Sequence, residues 1–171
     1  MPLVGTNNII QKQVLSATNL VSTNPGSSFQ ELNSAFRLSI TPKFSDSLIF
    51  LEYFIPLNQS TSGHNNIFGF SGYRYAPSSA NLESQGPSSG NRKRFAGGNM
   101  RAQNGYDHND MNLEYFIAFD SPATTSTCTY GFQVYQESSD SGTIYIAHSQ
   151  GNNSTWGMSS RVIITASEIK Q

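Results

Sequence analysis

LIFLEYFI, residues 48–55, is the longest apolar stretch of the chain and decides the fold class. Every second residue from Ile49 to Ile55 is apolar, which is the period of a β-strand. Leu48, Phe50 and Phe54 make the opposite face apolar as well, so we expect this strand to be buried on both sides. The stretch contains Glu52 and is too short to cross a bilayer.

The same alternation recurs on both sides of this stretch. Proline, glycine, serine and asparagine separate the runs, and these residue types favour turns. No window of twelve residues has a helical period. The pattern predicts an all-β antiparallel sandwich, jelly-roll-like, with about eight strands. The other alternating runs are Ile9–Leu15, Phe36–Ile40, Ile67–Tyr75, Leu113–Phe119, Tyr130–Val134, Ile144–Ile146 and Val162–Ile164.

Composition and charge exclude several classes of function. Only 12% of the 171 residues are charged, and the net charge is −1. A chain this neutral lacks the basic surface that nucleic acid or anionic lipid requires, so we expect neither partner. Cys128 is the single cysteine, which rules out an internal disulfide and a multi-cysteine zinc site. The first residues show no secretory signal, and we expect synthesis in a cytoplasm.

The chain is expected to form one domain with two appendages. Residues 1–8 are predicted to be an exposed N-terminal arm, and residues 9–171 a single β-sandwich. Residues 77–112 are rich in glycine, serine and asparagine and are predicted to be a long loop insertion with one short strand near Phe95. A structureless loop of that length is uncommon unless it is functional or ordered by a partner.

Candidate metal and anion sites in the sequence are weak. Residues 107–110, DHND, offer oxygen ligands for a hard cation, but the spaced acidic series of a calcium loop is absent. Gly97 and Gly98 lie near Arg94 and Arg101, but no Gly-Lys-Ser/Thr follows to make a phosphate loop. A polar turn is the favoured interpretation of both, and we predict no metal and no cofactor.

Candidate catalytic residues are equally weak. The chain has neither the Gly-x-Ser-x-Gly elbow nor the His-Glu-x-x-His pair. His64 and His148 are expected to be solvated or hydrogen-bonded, and Cys128 to be a small core residue. A depolymerase would need paired carboxylates, and Asp107 with Asp110 or Glu114 could be proposed, but closeness in sequence does not establish the required geometry. We therefore predict that the chain is not an enzyme.

Four segments in a fixed order carry a resemblance to a known family. Together they resemble bacteriophage virion proteins, which are β-sandwich modules of capsid-decorating proteins or tail fibres and often assemble as trimers. The similarity covers roughly residues 30–60 and 115–169, and residues 77–112 depart from it. The resemblance implies a β-sandwich and no catalytic residues. The segments are LSITP (38–42) with SDSLI (45–49), FDSPATTS (119–126) with TYGFQV (129–134), GTIYI (142–146), and SSRVII (159–164) with Glu168-Ile169.

This resemblance implies a capsid decoration, or cement, protein. It would bind the outer capsid surface as a homotrimer, contact the major capsid protein and stabilise the head, after synthesis in the host bacterial cytoplasm. The candidate capsid-contact arm is Met1, Pro2, Leu3, Val4, Asn7 and Ile9. The candidate loop contacts are Arg92, Lys93, Arg94, Arg101, Tyr106 and Trp156.

The alternative is the receptor-binding tip of a tail fibre. In that case residues 77–112 and the aromatic residues Tyr73, Tyr75, Tyr106 and Trp156 would face a host surface glycan. Aromatic rings offer sugars an apolar face with a polar tip. The same residues also fit the rim of an ordinary sandwich.

Overall fold

A computed structural model describes residues 9–59, 66–82, 86–87, 90, 94–101, 111–136, 142–149 and 157–170. These residues form eleven strands, more than the eight expected, and one 3₁₀ turn at Ser34–Phe36. The described part contains no helix long and apolar enough to cross a membrane. The strands are β1 (Ile9–Ala17), β2 (Val21–Thr23), β3 (Leu38–Ile40), β4 (Leu48–Gln59), β5 (Asn66–Ala76), β6 (Ala80–Asn81), β7 (Gly97–Arg101), β8 (Asn112–Asp120), β9 (Cys128–Gln136), β10 (Ile144–Ile146) and β11 (Val162–Ile169).

Sheet A is built around the long strand β4. Strand β11 pairs with residues 48–54 of β4, and β10 pairs with residues 57–59. Strand β8 pairs with residues 49–57, which overlap both ranges, so β8 occupies the opposite edge of β4. Strands β1 and β2 lie beyond β11 and β10. Every pair is antiparallel, as the turn-rich sequence predicts.

Sheet B packs against sheet A and is also antiparallel. Its order is β3, β9, β5, and the far edge of β5 pairs with β6 and β7. The residues described within 77–112 therefore include two short strands. Strand β7 begins two residues after Phe95, close to where a strand was expected, and β6 has only two residues.

The core lies between the two sheets. The odd-numbered side chains of β4, from Ile49 to Leu57, are fully buried and face Phe70, Tyr130 and Val134 of sheet B. This confirms the predicted antiparallel β-sandwich. The expectation that β4 is buried on both sides is wrong, because Phe50 and Phe54 point away from sheet B and remain partly exposed.

Candidate functional site

The outward side of sheet A carries the most unusual surface of the described residues. Strand pairing brings Phe54 level with Tyr115 of β8 and Ile163 of β11, and Phe50 level with Phe119. Side chains alternate across a sheet, so these residues share the face that points away from the core. We call this surface the outer apolar face. Its apolar members are Val14, Leu48, Phe50, Phe54, Leu113, Tyr115, Ile117, Phe119, Ile163 and Ile169.

The side chains of β8 are among the most exposed of the face. Leu113, Tyr115 and Ile117 are 60%, 50% and 39% exposed, whereas Phe50 and Phe54 on the neighbouring strand are less exposed. The aromatic rings pair across the strands, with centroids 5.2 Å apart for Phe50 and Phe119 and 4.7 Å apart for Phe54 and Tyr115. Cross-strand pairs of this kind fix the side chains in place before any partner arrives.

The charged groups on this face are few. Glu52 lies in its middle, Lys12 of β1 lies level with Phe50, and Arg161 donates at 3.4 Å to Ser16 Oγ, which is level with Ile163. The Tyr115 hydroxyl donates to Glu52 Oε1 at 3.4 Å. Desolvation and then the nearby carboxylate raise the pKa of Tyr115, so the phenol stays neutral at physiological pH. The face is therefore apolar, with one acid and one base within it and a second base at its margin.

The outward side of sheet B has a different character. Arg37 lies 4.2 Å above the ring of Tyr75 and is held by two hydrogen bonds of 2.7 Å to Glu31. Desolvation and then Glu31 raise the pKa of Tyr75. Hydroxyl groups pair at Ser39 with Thr129 (3.0 Å), and at Thr41 with Thr127 (2.8 Å). This side presents polar groups that already have partners.

An ionic cluster ties the two sheets together internally. Asp120 Oδ2 of β8 accepts from Arg74 Nη1 at 2.7 Å and from the Tyr130 hydroxyl at 2.8 Å. Arg74 and Asp120 are each only 12% exposed. Burial and then Asp120 raise the pKa of Tyr130. Because the carboxylate is neutralised by these fixed donors, the arrangement suits structural support rather than acid or base catalysis.

A second buried carboxylate closes one end of sheet A. Glu168 Oε1 accepts from the backbone nitrogens of Lys43 (2.8 Å) and Phe44 (3.2 Å) and from Ser47 Oγ (2.7 Å). Its Oε2 accepts from Gln11 Nε2 at 2.7 Å. Burial acts to raise the pKa of Glu168, but the four donors outweigh it and lower the pKa. Glu168 thus fastens β1, β11 and the 43–47 turn together.

His148 is hydrogen-bonded, as predicted. Its Nε2 lies 3.0 Å from Ser22 Oγ, and its Nδ1 lies 2.9 Å from the Ser149 carbonyl oxygen. The imidazole also packs edge-on against Tyr145, with centroids 5.2 Å apart. These contacts join β2 to the end of β10 and account for the histidine structurally. Within the described residues, no three His, Cys, Asp or Glu side chains gather as a metal site.

Three of the sequence-predicted contact residues lie within the described part of the chain. Ile9 begins β1 and is exposed, Arg94 is exposed and donates to the Gly86 carbonyl at 2.6 Å, and Arg101 ends β7. Cys128 is a buried core residue as predicted, and burial raises the pKa of its thiol. The other candidates lie outside the described residues: Met1, Pro2, Leu3, Val4, Asn7, His64, Arg92, Lys93, Tyr106, Trp156 and the stretch 107–110.

Reasoning from the sequence missed the outer apolar face. The alternation of Leu113–Phe119 indicated a strand, but its regular apolar residues point outward while Phe116 and Ala118 fill the core. The available signal was the second apolar side of residues 48–55, which was taken to mean double burial. A strand that is apolar on both sides also fits a sheet whose outer side meets a partner.

Comparisons with known proteins leave the chain without an assigned family. No family model matches the sequence, and no curated protein matches it. Two solved structures that match are of infectious bursal disease virus: the Gx strain at 14% identity with a TM-score of 0.45, and the Gt strain at 14% with 0.42. They cover 99% and 100% of this chain. The chain spans only 44% and 43% of those chains, and a likeness this distant carries no argument about function.

Proposed function

We propose that the chain is a structural component of a virus particle, a capsid decoration protein that binds the outer capsid surface as a homotrimer and stabilises the head. The outer apolar face carries this proposal, because it is a surface for holding a neighbour. The sequence resemblance to phage virion modules supports the same role. The partners in this role are further copies of the chain and the major capsid protein, and the location is the outside of the virion.

The energetics suit a part that acts through many repeated contacts. The exposed apolar area of the face is on the order of 500 Å², and two copies that bury it together gain about 25 kcal/mol gross at ~25 cal/mol per Å². Association costs about 4–15 kcal/mol and side-chain ordering costs more, so only part of this gain remains as affinity. Closed rotational symmetry repeats the contact in every copy, and the particle repeats it over its surface.

The attachment to the capsid is assigned to the segments that lead away from the sandwich. In this proposal the residues that grip the major capsid protein are Met1, Pro2, Leu3, Val4, Asn7 and Ile9 of the arm, together with loop residues such as Arg94. Ile9 and Arg94 are the members of this set whose side chains the structure describes, and both are exposed. Their exposure leaves them available to a partner.

Counting copies on purified particles tests the proposal. A decoration protein is expected in hundreds of copies on heads and to leave under gentle dissociation. Heads stripped of it are expected to release DNA at a lower temperature, and adding back the purified chain is expected to restore the original value. Absence from particles, or heads whose DNA retention does not respond to the chain, contradicts the proposal.

A receptor-binding tail tip is the alternative, and one observation on sheet B favours it. Tyr73 and Tyr75 lie edge-to-face there, with ring centroids 4.9 Å apart, on the side that carries the paired hydroxyl groups. Glycan-array binding that is lost in Tyr73→Ala, with only a few dozen copies located on tails, would favour this role over decoration. Arg37 already occupies the face of Tyr75, which leaves Tyr73 as the ring to test.

A further inference from the structure

We infer that the outer apolar face of sheet A is covered by a second copy of this chain. The inference rests on the proposed function and deepens it, because it names the surface through which the copies hold one another. Three properties of the face support it: its area, the exposure of its β8 side chains and its charge.

The exposed apolar area fits one side of a standard protein interface. Such an interface buries ~800 Å² per partner, of which about 56–65% is apolar. The face offers on the order of 500 Å² of apolar surface, which matches that share and lies near the upper end of what monomers expose. This area is large enough to hold a folded partner.

The exposed side chains of β8 are placed to meet the rings of another copy. Leu113, Tyr115 and Ile117 are 60%, 50% and 39% exposed, and Phe50 and Phe54 on the neighbouring strand are partly buried. The β8 side chains of one copy can pack on Phe50 and Phe54 of the next, as the side chains of two sheets interdigitate in a sandwich core. Because this contact joins two different parts of the face, it can repeat around a closed ring of three copies.

The charge of the face permits a like partner. Glu52 and Lys12 lie on the face and Arg161 lies at its margin, so each copy offers both signs of charge to the next. A partner with a strongly charged surface would meet no cluster of opposite charge on this face. Of the possible occupants, a second copy is the one these groups suit.

Sedimentation velocity of the purified full chain tests the inference. Wild type is expected to form a discrete oligomer, and Leu113→Glu and Ile117→Glu are each expected to raise its dissociation constant at least tenfold, because a carboxylate would be buried in the interface. Leu20→Glu is the matched control. Leu20 is an exposed leucine (56%) in the link between β1 and β2, outside the face, and its substitution is expected to leave the oligomer intact.

Hydrogen exchange of wild type at rising protein concentration gives a second readout without any substitution. Amides of residues 112–120 are expected to exchange more slowly as the oligomer forms, whereas those of β3 on sheet B are expected to stay unchanged. This measurement decides the matter if a glutamate variant fails to fold.

Two results would overturn the inference. One is a wild-type chain that stays monomeric at high micromolar concentration, which would mean that another molecule covers the face. The other is an oligomer that both glutamate variants leave intact while exchange at 112–120 ignores concentration. Both results concern the interface and leave the proposed function as a virion protein untouched. An oligomer that depends on β8 but is absent from particles would contradict the proposed function and support the interface.

Discussion

Glu168 shows how one side chain can organise the end of a sheet. Its carboxylate is buried and accepts hydrogen bonds from four donors, which favour the ionised form. One donor is Gln11 of β1, and the other three lie in the 43–47 turn, which leads into β4. The protonated acid would place a hydrogen against one of these donors.

Stability is expected to fall in acid because of Glu168. Its pKa is lower in the folded state than in the unfolded chain, so its contribution is fully present above the unfolded value of ~4.3 and is lost as pH falls through the folded value. Glu168→Gln is expected to lower the free energy of unfolding at pH 7 by about 1–3 kcal/mol. Urea unfolding at pH 7 and below pH 4 checks this. The variant should lose less stability in acid than wild type, and an equal loss would contradict the assignment.

Gly69 is a position where a missing side chain makes room for a ring. A Cβ built at Gly69 would overlap the ring of Phe95, which lies flat over β5 at that point. Phe95 also packs against Phe29 and Tyr135, with centroids 5.9 and 5.6 Å away. This contact anchors the segment before β7 to the outside of sheet B.

The Gly69 contact predicts non-additive substitutions. Gly69→Ala is expected to displace the ring and cost about 1–3 kcal/mol, and Phe95→Ala a similar amount. The double variant should cost clearly less than the two together, because removing the ring removes the overlap. Chemical denaturation of the four proteins gives the coupling energy. Additive costs would mean that Phe95 does not lie on Gly69.

At the scale of elements, the two sheets are linked by more than apolar packing. Asp120 at the end of β8 reaches across to Arg74 of β5 and Tyr130 of β9. The Tyr53 hydroxyl of β4 adds a second link by donating to the Gly131 carbonyl at 3.1 Å. These polar links set the relative position of the sheets, which apolar contacts alone specify loosely.

Two ion pairs in the chain should differ in importance. Asp120→Asn leaves Arg74 charged and largely buried, so it is expected to cost about 3 kcal/mol. Glu31→Gln acts on the more exposed Arg37 pair and should cost no more than about 1 kcal/mol. Urea midpoints at neutral pH and equal salt compare the two. The reverse ranking would mean that the sheets are not held by Asp120.

Strand alternation in the sequence predicted the long strands but not their surroundings. It located β4, β8 and β9, and even the three residues of β10, whereas β2 has one apolar residue among three and β6 has only two residues, so neither shows an alternation. It did not decide which side of β8 is buried, because both sides carry apolar residues. The outer apolar face depends on register between strands far apart in sequence, such as Phe54 with Tyr115 and Ile163. A single sequence does not reveal such pairings.

At the scale of the whole molecule, the two outer surfaces of the sandwich are unequal. The outer side of sheet A presents aromatic rings and aliphatic side chains. The outer side of sheet B presents paired hydroxyl groups and Tyr75, whose ring is covered by Arg37. The net charge of −1 leaves the molecule without a strong field. Association is therefore expected to depend on contact area rather than on long-range attraction.

Self-association should be nearly independent of salt. An apolar interface with only Lys12, Glu52 and the marginal Arg161 on each face has little charge to screen, although the Debye length falls from ~30 Å at 0.01 M to ~3 Å at 1 M salt. The dissociation constant from sedimentation equilibrium is expected to change by less than about threefold over that range. A sharp weakening at high salt would point to a charged contact, such as the basic run at 92–94, in place of the face.

The order of strands in sheet A has a consequence for biosynthesis. Strand β11, the final strand of the described chain, fills the place between β1 and β4. Translation runs at ~5–20 residues per second, so the ribosome needs about 5–20 s to go from the end of β4 to β11. Throughout that interval residues 48–54 lack their β11 neighbour, so this edge of β4 has no strand of its own chain to pair with in the native register. Newly made chains are therefore expected to bind holding chaperones, and to misassemble when they are made faster than the chaperones can bind them. A chain truncated before residue 162 is expected to be degraded or insoluble.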